Sequence, residues 1–247
     1  MKEKVLIAYD GSECADAALD DLQQAGLPDE VDALVMTVAE IWLPPPPPSS
    51  YEILEEARQV HVPADLLKVY AKDSPAMKEA EGLAERARLR LRSKFPQWQV
   101  RAEATYGSPA WELIMKADQW KPRLIVVGSH GRTALGRFIL GSVSQKVVTE
   151  SHCSVRVARG RVEEPGTPLR LVIGVDGSQG AEAALGEVAA RHWPEGSAAR
   201  VIVVEDPLVP TALGRIIPPV ANWVKENNRE EGVWAQAIAE QGARALT

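Results

Sequence analysis

The sequence predicts an α/β protein: a doubly wound, five-stranded parallel sheet, followed by a partial second copy of it. Three observations predict this. Short runs of branched apolar residues alternate with alanine- and leucine-rich segments of helical length, which is the pattern of βαβ units and hence of a parallel sheet. One of those runs, Leu124 to Val127, opens directly into a glycine-rich turn and then a helix start. And the segment 5–19 recurs at 171–185. Asp176, Gly177 and Ser178 stand 166 positions after Asp10, Gly11 and Ser12, and Ala183-Ala184-Leu185 repeats Ala17-Ala18-Leu19. Internal duplication explains a constant offset better than chance.

Each element has its own warrant. Val5 to Tyr9 is an apolar run of central-strand type. Asp10-Gly11-Ser12 is turn chemistry, and Ser12 is an N-cap with Glu13 and Asp16 behind it at the positive end of the coming helix. That helix is expected over Cys14 to Ala25, ended by Gly26 and Pro28. Ala33 to Val38 is the second strand. The five prolines Pro44 to Pro48 exclude helix and central strand and read as a stiff exposed loop; a short helix is expected over Tyr51 to Val60. Pro75 to Lys94 is a long charged helix with Met77, Leu83, Ala84, Ala87 and Leu91 on or near one face. Gln99 to Thr105 alternates as a strand. Ser108 then caps a helix with Pro109 at its first position, running to Trp120 and stopped by Pro122. Leu124 to Val127, a helix over Ser142 to Glu150, and a final edge strand over Val155 to Ala158 complete the first unit.

Gly160 to Pro168 has linker composition. After it come a strand from Leu171, a helix over Ala181 to Arg191 and a strand over Arg200 to Val204. Pro207 to Pro219 reads as an irregular loop, and Arg229 to Ala245 as helix. The second unit has no counterpart of Leu124 to Val157, so it has no glycine cradle of its own.

Composition narrows the function. The 247 residues carry a formal net charge of −6 and two cysteines, Cys14 and Cys153. A global basic field for nucleic acid is excluded, and two distant cysteines form neither a disulfide framework nor a metal motif. The N-terminal apolar run is too short for a signal peptide, and no run nears the ~20 residues of a membrane helix. The expectation is a cytoplasmic protein without a membrane or nucleic-acid partner.

The stretch from Ile125 to Ser144 carries the chemistry. Gly128, Gly131 and Gly141 let the backbone approach a ligand and turn N–H groups toward it. Ser129, His130 and Arg132 fill the turn, and Ser142, Val143 and Ser144 open a helix whose first N–H groups and dipole favour an anion. Serine hydroxyls donate to phosphate oxygens. The stretch is neither a P-loop, since no Gly-x4-Gly-Lys-[Ser/Thr] occurs, nor a Rossmann fingerprint. Asp10 and the end of the second strand at Val38 lie at carboxyl ends of strands, as Gly128 does, so the topology rule brings all three to one crevice. Asp10 reads either as a ligand-binding carboxylate or as a helix cap; Arg132 and Arg137 as phosphate partners or solvated charges. His130 has no partner in motif spacing for catalysis and reads as a backbone contributor. Ser12 reads as a cap rather than a nucleophile, and Cys14 as a small packing residue.

Gly128-x2-Gly131-x9-Gly141-Ser142, with its flanks through Val148, resembles the glycine pattern of the ATP-binding universal stress proteins. Tyr9-Asp10-Gly11-Ser12 and Gly107-x-Pro109-Ala110 add to the resemblance. It covers about 2–160 well and 169–206 more weakly, and it implies the adenine nucleotide alpha hydrolase-like fold. It implies a nucleotide-binding domain over 1–160, a linker over 161–168 and an incomplete second repeat over 169–247. It implies that Asp10, with Gly11 and Ser12 in its turn, and the Val38 backbone hold adenosine, while Gly128 through Ser144 hold ribose and phosphates of ATP, or of AMP or cyclic AMP, with Mg or Mn carried by the phosphates. Ser154 departs from the usual proline after the cysteine, and Arg123 from a common aspartate. The implied function is a stress-response regulator acting through nucleotide-dependent conformation or assembly, with bound phosphate ordering the Arg132–Leu140 loop. Its expected partner is a second copy, met through the edge strand near Ser154 to Ala158. No catalytic residue is expected; a slow ATPase or phosphotransferase, and a ligand-free interaction module, are the alternatives.

Overall fold

The computed structural model describes residues 2–40, 74–131, 140–159, 164, 166–204 and 218–246. The expected Pro44–Pro48 loop, the Tyr51–Val60 helix, most of the 160–168 linker, Arg132, Arg137 and most of the Pro207–Pro219 loop lie outside these. The chain divides into two compact units, Met1–Gln23 with Pro28–Glu163, and Gln24–Leu27 with Glu164–Thr247.

In the first unit, β1 (Glu3–Ala8) and β2 (Val31–Ala39) pair in parallel, α1 (Glu13–Asp21) lying between them in sequence. Then follow α2 (Pro75–Lys94), β3 (Gln99–Tyr106), α3 (Pro109–Trp120), β4 (Leu124–Gly128), α4 (Ser142–Glu150) and β5 (Ser154–Ala158). The sheet order is β3-β2-β1-β4-β5, parallel throughout. The chain steps outward from β1 to β3, then returns past β1 to β4. The order therefore reverses between β1 and β4, and a crevice opens at their carboxyl ends. The five-stranded parallel sheet expected from the sequence is the fold of this unit.

The helices start where their caps say. Ser12 accepts from the Ala15 N–H (3.1 Å) at α1, and Ser74 from the Met77 N–H (3.2 Å) at α2. At α3, Ser108 occupies the cap position but its side chain makes no cap bond; Pro109 starts the helix and left-handed Lys121 (φ 52°) ends it. α2 lays Met77, Ala80, Ala84, Ala87 and Leu91 onto the sheet, an i, i+3/i+4 stripe narrow enough for close approach. On the sheet's other face Leu6, Leu34, Met36, Ile125 and Val127 pack against Leu113 of α3 and Val147 of α4. One expectation is corrected. α1 does not run to Ala25: it ends at Asp21 and tightens into a 3₁₀ turn, Leu22–Gln24, before Gly26 takes a left-handed φ of 63°.

α1 and α2 are tied by charge. Asp20 accepts from Lys94 (2.7 Å) and Arg90 (2.8 Å), and Arg90 also reaches Asp16 (3.1 Å). Burial raises the Asp20 pKa, but the hydrogen bonds from Lys94 and Arg90 outweigh it and hold the carboxyl below its ordinary range. A depressed folded-state pKa means the stabilisation is fully present above the unfolded-state value of about 4 and is lost as pH falls through the folded one. Asp20→Asn should therefore lower urea stability at pH 7 by up to about 1 kcal/mol, as for a partly exposed pair. The gap to the wild type should close below about pH 4. A gap that is constant from pH 7 to pH 3 would rule this out.

In the second unit, β6 (Arg170–Gly174) and β7 (Ala198–Ile202) form a two-stranded parallel sheet, with α5 (Gln179–Ala189) and the long α6 (Pro218–Arg244). α6 begins at Pro218, inside the stretch expected to be loop; proline is tolerated in a helix's first turn because its missing N–H would be unpaired there anyway. The core is small: Ile173, Val175 and Leu185, with Val201 and Ile238 against them. Val172 remains 66% exposed, so one face of this sheet is open, and a two-stranded sheet buries little by itself. Backbone detail recurs at the sequence offset. The Val175 N–H donates to Ile202 (2.9 Å) as Tyr9 donates to Met36 (3.0 Å). Asp176 accepts from the Ser178 N–H as Asp10 accepts from Ser12, both at 3.0 Å.

Candidate functional site

A cavity of about 450 Å³ lies over the carboxyl ends of β1, β2 and β4, within the ordinary size range of small-ligand pockets. Its walls include Asp10, Val38, Gly128, His130, Gly131, Gly141, Ser142, Val143 and Ser144. Nine of the thirteen residues singled out in the sequence thus line one space. Gly11, Ser12 and Ser129 do not line it and instead shape the turns behind it, and Arg132 is outside the described residues.

The β1–α1 turn is built by Asp10. Its Oδ1 accepts from the Ser12 N–H, and Gly11 supplies the positive φ of 78° that other residues resist. Asp10 is therefore both a turn-former and a wall of the cavity. Ser12 caps α1 and, with its hydroxyl hydrogen, donates to the His130 carbonyl (3.4 Å). The β1 turn and the β4 turn are thereby joined.

The β4 turn is pinned at several points. The Ser129 N–H donates to Ala158 (2.9 Å) and the Gly141 N–H to the Ser129 carbonyl (2.8 Å). The Ser144 hydroxyl donates to the Gly128 carbonyl (2.6 Å) and is buried. That bond changes the reading of Ser144: its hydrogen is committed to the turn, so the side chain organises the cradle rather than offering a hydroxyl hydrogen to an anion. Ser142 is exposed at the same helix start. α4 has no acidic residue in its first turn, which leaves its positive end uncompensated. Ser129 Oγ sits 3.0 Å from His130 Nδ1 and 3.8 Å from Cys14 Sγ.

The two inner glycines meet different neighbours. A Cβ on Gly128 would lie 2.8 Å from the Cys14 carbonyl carbon and 2.9 Å from its oxygen, both backbone of α1. Among the described residues, a Cβ on Gly131 would meet only Asp10 Oδ2, at 2.9 Å.

At the other end, strand lengths expose Val38. β1 pairs with β2 only as far as Ala8 opposite Met36, while β2 runs on to Ala39 beside β3, and Gly107 N–H donates to the Ala39 carbonyl (3.0 Å). Backbone groups of successive strand residues point to opposite sides. Met36 faces β1, so Val38 faces the same side, beyond the end of β1. Its N–H and C=O form a donor–acceptor pair aimed along the sheet into the crevice. Tyr9 closes the α2 side: its hydroxyl donates to Asp16 (2.7 Å) and accepts from Arg86 (3.0 Å). Burial pushes the Tyr9 phenol above its ordinary pKa, so it stays a neutral donor at physiological pH.

The sequence profile of the universal stress protein family matches residues 1–159. The chain belongs to that family. Its relatives include Universal stress protein MJ0531 of Methanocaldococcus jannaschii, 30% identical over 164 residues, covering 64% of this chain and 82% of that protein. Universal stress protein Rv2005c of Mycobacterium tuberculosis is 27% identical over 186 residues, covering 73% of this chain and 56% of that protein, so this chain spans little more than half of that relative. Among solved structures, a universal stress protein from Archaeoglobus fulgidus matches with a TM-score of 0.57 at 19% identity, over 89% of this chain and 73% of that one. That likeness is one of fold.

Universal stress sequences carry the glycine cradle once in this chain. In the second unit the turn at Asp176 has the same internal bonds, but α6 packs on it. A Cβ at Gly177 would come within 3.2 Å of the Trp234 ring and 3.3 Å of Ile238. Val204, the positional match of Val38, is 83% exposed. Sequence reading missed the α2 wall of the first cavity, Ala76, Ala80 and Leu83, and it missed Thr37. A signal for Thr37 existed: it is the one polar residue between Ala33 and Ala39, in a strand buried on both faces.

Proposed function

We propose that this protein is an adenine-nucleotide-binding regulator of the universal stress class, holding ATP, AMP or cyclic AMP in the first unit. The observation that carries this reading is one cavity with two unlike ends. One end is a glycine turn leading into a helix N-terminus, which suits phosphate. The other is the Val38 N–H and C=O, which lie beyond the last β1 pairing among the described residues and suit the adjacent acceptor and donor on the edge of adenine. Asp10, between them, suits a ribose hydroxyl. A Mg or Mn ion would enter on the phosphates, bound mainly by their oxygens.

The domain plan that goes with this is a nucleotide-binding domain over 1–160, a linker over 161–168, and a partial second repeat over 169–247. The backbone bonds shared at the 166-residue offset support it. Regulation follows from population shift: the nucleotide changes conformation or assembly only by binding one state better than another. β5 ends the sheet and has an open edge that invites strand pairing, which favours a homodimer through Ser154 to Ala158. Titration calorimetry of the purified chain with ATP, AMP and cyclic AMP tests the reading. One saturable site per chain is expected, and a dimer by sedimentation at micromolar concentration. No heat with any of the three would overturn the function, and a monomer with and without nucleotide would overturn the assembly.

A further inference from the structure

We propose that the Thr37 hydroxyl is a base-recognition group of this cavity, hydrogen-bonding the purine ring of the bound nucleotide. The inference rests on the nucleotide reading above and adds a side chain to it.

Thr37 sits near the end of β2, paired with Ala104 of β3. Its backbone groups face β3, because Ala39, two residues on, does so. The side chain is what remains. It is 3% exposed, and its Oγ1 has no hydrogen-bond partner among the described residues. Threonine hydroxyls in folded chains ordinarily find a nearby backbone or side-chain partner, and a buried one without a partner opposes folding. Valine has the same shape without that penalty. Among the described residues, therefore, nothing in the fold gains from this oxygen.

An occupant of the cavity does gain from it. Thr37 lines the cavity beside Ala39, Ala76, Ala80 and Leu83, walls that suit a flat heteroaromatic ring. The oxygen is covered in the ligand-free protein, so contact requires Thr37 to turn about χ1; a hydroxyl both donates and accepts, and once turned to the cavity it can meet a ring nitrogen or an exocyclic amine. The phosphates are elsewhere. The cradle follows β4, and β1 lies between β4 and β2 in the sheet. Two strand spacings, roughly 10 Å, separate the two ends, which is the kind of span that separates base from phosphate in a nucleotide. Thr37 thus meets the base.

The test compares wild type, Thr37→Val and Thr37→Ser. Each is titrated with AMP, and each is melted without ligand. Thr37→Val should bind AMP about tenfold more weakly, the loss typical of one hydrogen bond to a buried group. Its ligand-free Tm should stay equal or rise, because an unpaired buried hydroxyl is gone. Thr37→Ser, which keeps the hydroxyl, should bind within about threefold of wild type. This opposition of affinity and stability is what a structural role would not produce. Equal AMP affinity in wild type and Thr37→Val would overturn the inference and leave the nucleotide reading standing. A lower ligand-free Tm for Thr37→Val would assign the hydroxyl to the fold instead. A wild type that binds no adenine nucleotide would overturn both.

Discussion

Gly128→Ala should destabilise the first unit by about 3 kcal/mol, near the upper end of the cost of overpacking a tight interior contact. The added methyl would stand 2.8 Å from the Cys14 carbonyl carbon, 2.9 Å from its oxygen and 3.0 Å from the Ala15 N. These are backbone atoms of α1's first turn, which cannot rotate away as a side-chain tip can. Relief requires α1 to move off β4, and that would open the packing of Ala15, Ala18 and Leu19, all buried. The expected result in urea is a lower midpoint with an unchanged slope. A midpoint equal to the wild type would show that α1 gives way freely and would sink the claim. This glycine is therefore a poor choice for testing ligand contact, since its loss of binding would be indistinguishable from loss of fold.

Gly131→Ala should do the reverse: keep the fold and lose the nucleotide. Among the described residues its one close neighbour would be Asp10 Oδ2, at 2.9 Å, the tip of a side chain. Gly131 is exposed, and a surface change without backbone contact ordinarily alters stability by less than about 0.5 kcal/mol. The carboxylate must turn its Oδ2 away from the cavity while Oδ1 keeps the Ser12 N–H, and a hydrogen bond to a charged group is worth about 1.5–3 kcal/mol. AMP affinity should fall by at least about tenfold, read by calorimetry, with the melting curve unchanged. Unchanged affinity would remove Asp10 from the site; a collapsed melting curve would make Gly131 a second structural glycine. The pair of variants separates two positions that the sequence motif treats alike.

Local signals carried most of the fold. The bounds of α3 follow from Pro109 with Pro122 and the start of α4 from Gly141 before Ser142, and the structure places α2, α3 and α4 at the expected residues. Caps and prolines act on their own turn, so they can be read without knowing what packs around them. The end of α1 could not be. Its alanine- and leucine-rich pattern continues toward Ala25, and only the chain's course into a 3₁₀ turn and left-handed Gly26 stops it earlier. α6 also starts earlier than the expected Arg229, at Pro218.

The candidate site was legible in part, for the same reason. Glycines and serines at helix starts advertise an anion cradle, and the order of strands and helices put Asp10, Val38 and Gly128 at one edge. The sequence by itself therefore determined the fold class and which loops converge, because these depend on periodicity, caps and chain order. What only the tertiary structure decided are relations between distant residues. Ser144 turns its hydroxyl back to Gly128, Gly128 presses on α1 while Gly131 sits by Asp10, and β2 runs past its last pairing with β1 so that Val38, beside Thr105 of β3, has no β1 partner among the described residues. Thr37, an ordinary strand residue by composition, belongs to the cavity for the same reason. Each relation is set by register and by contact across the sheet, and a linear pattern of residues does not contain either.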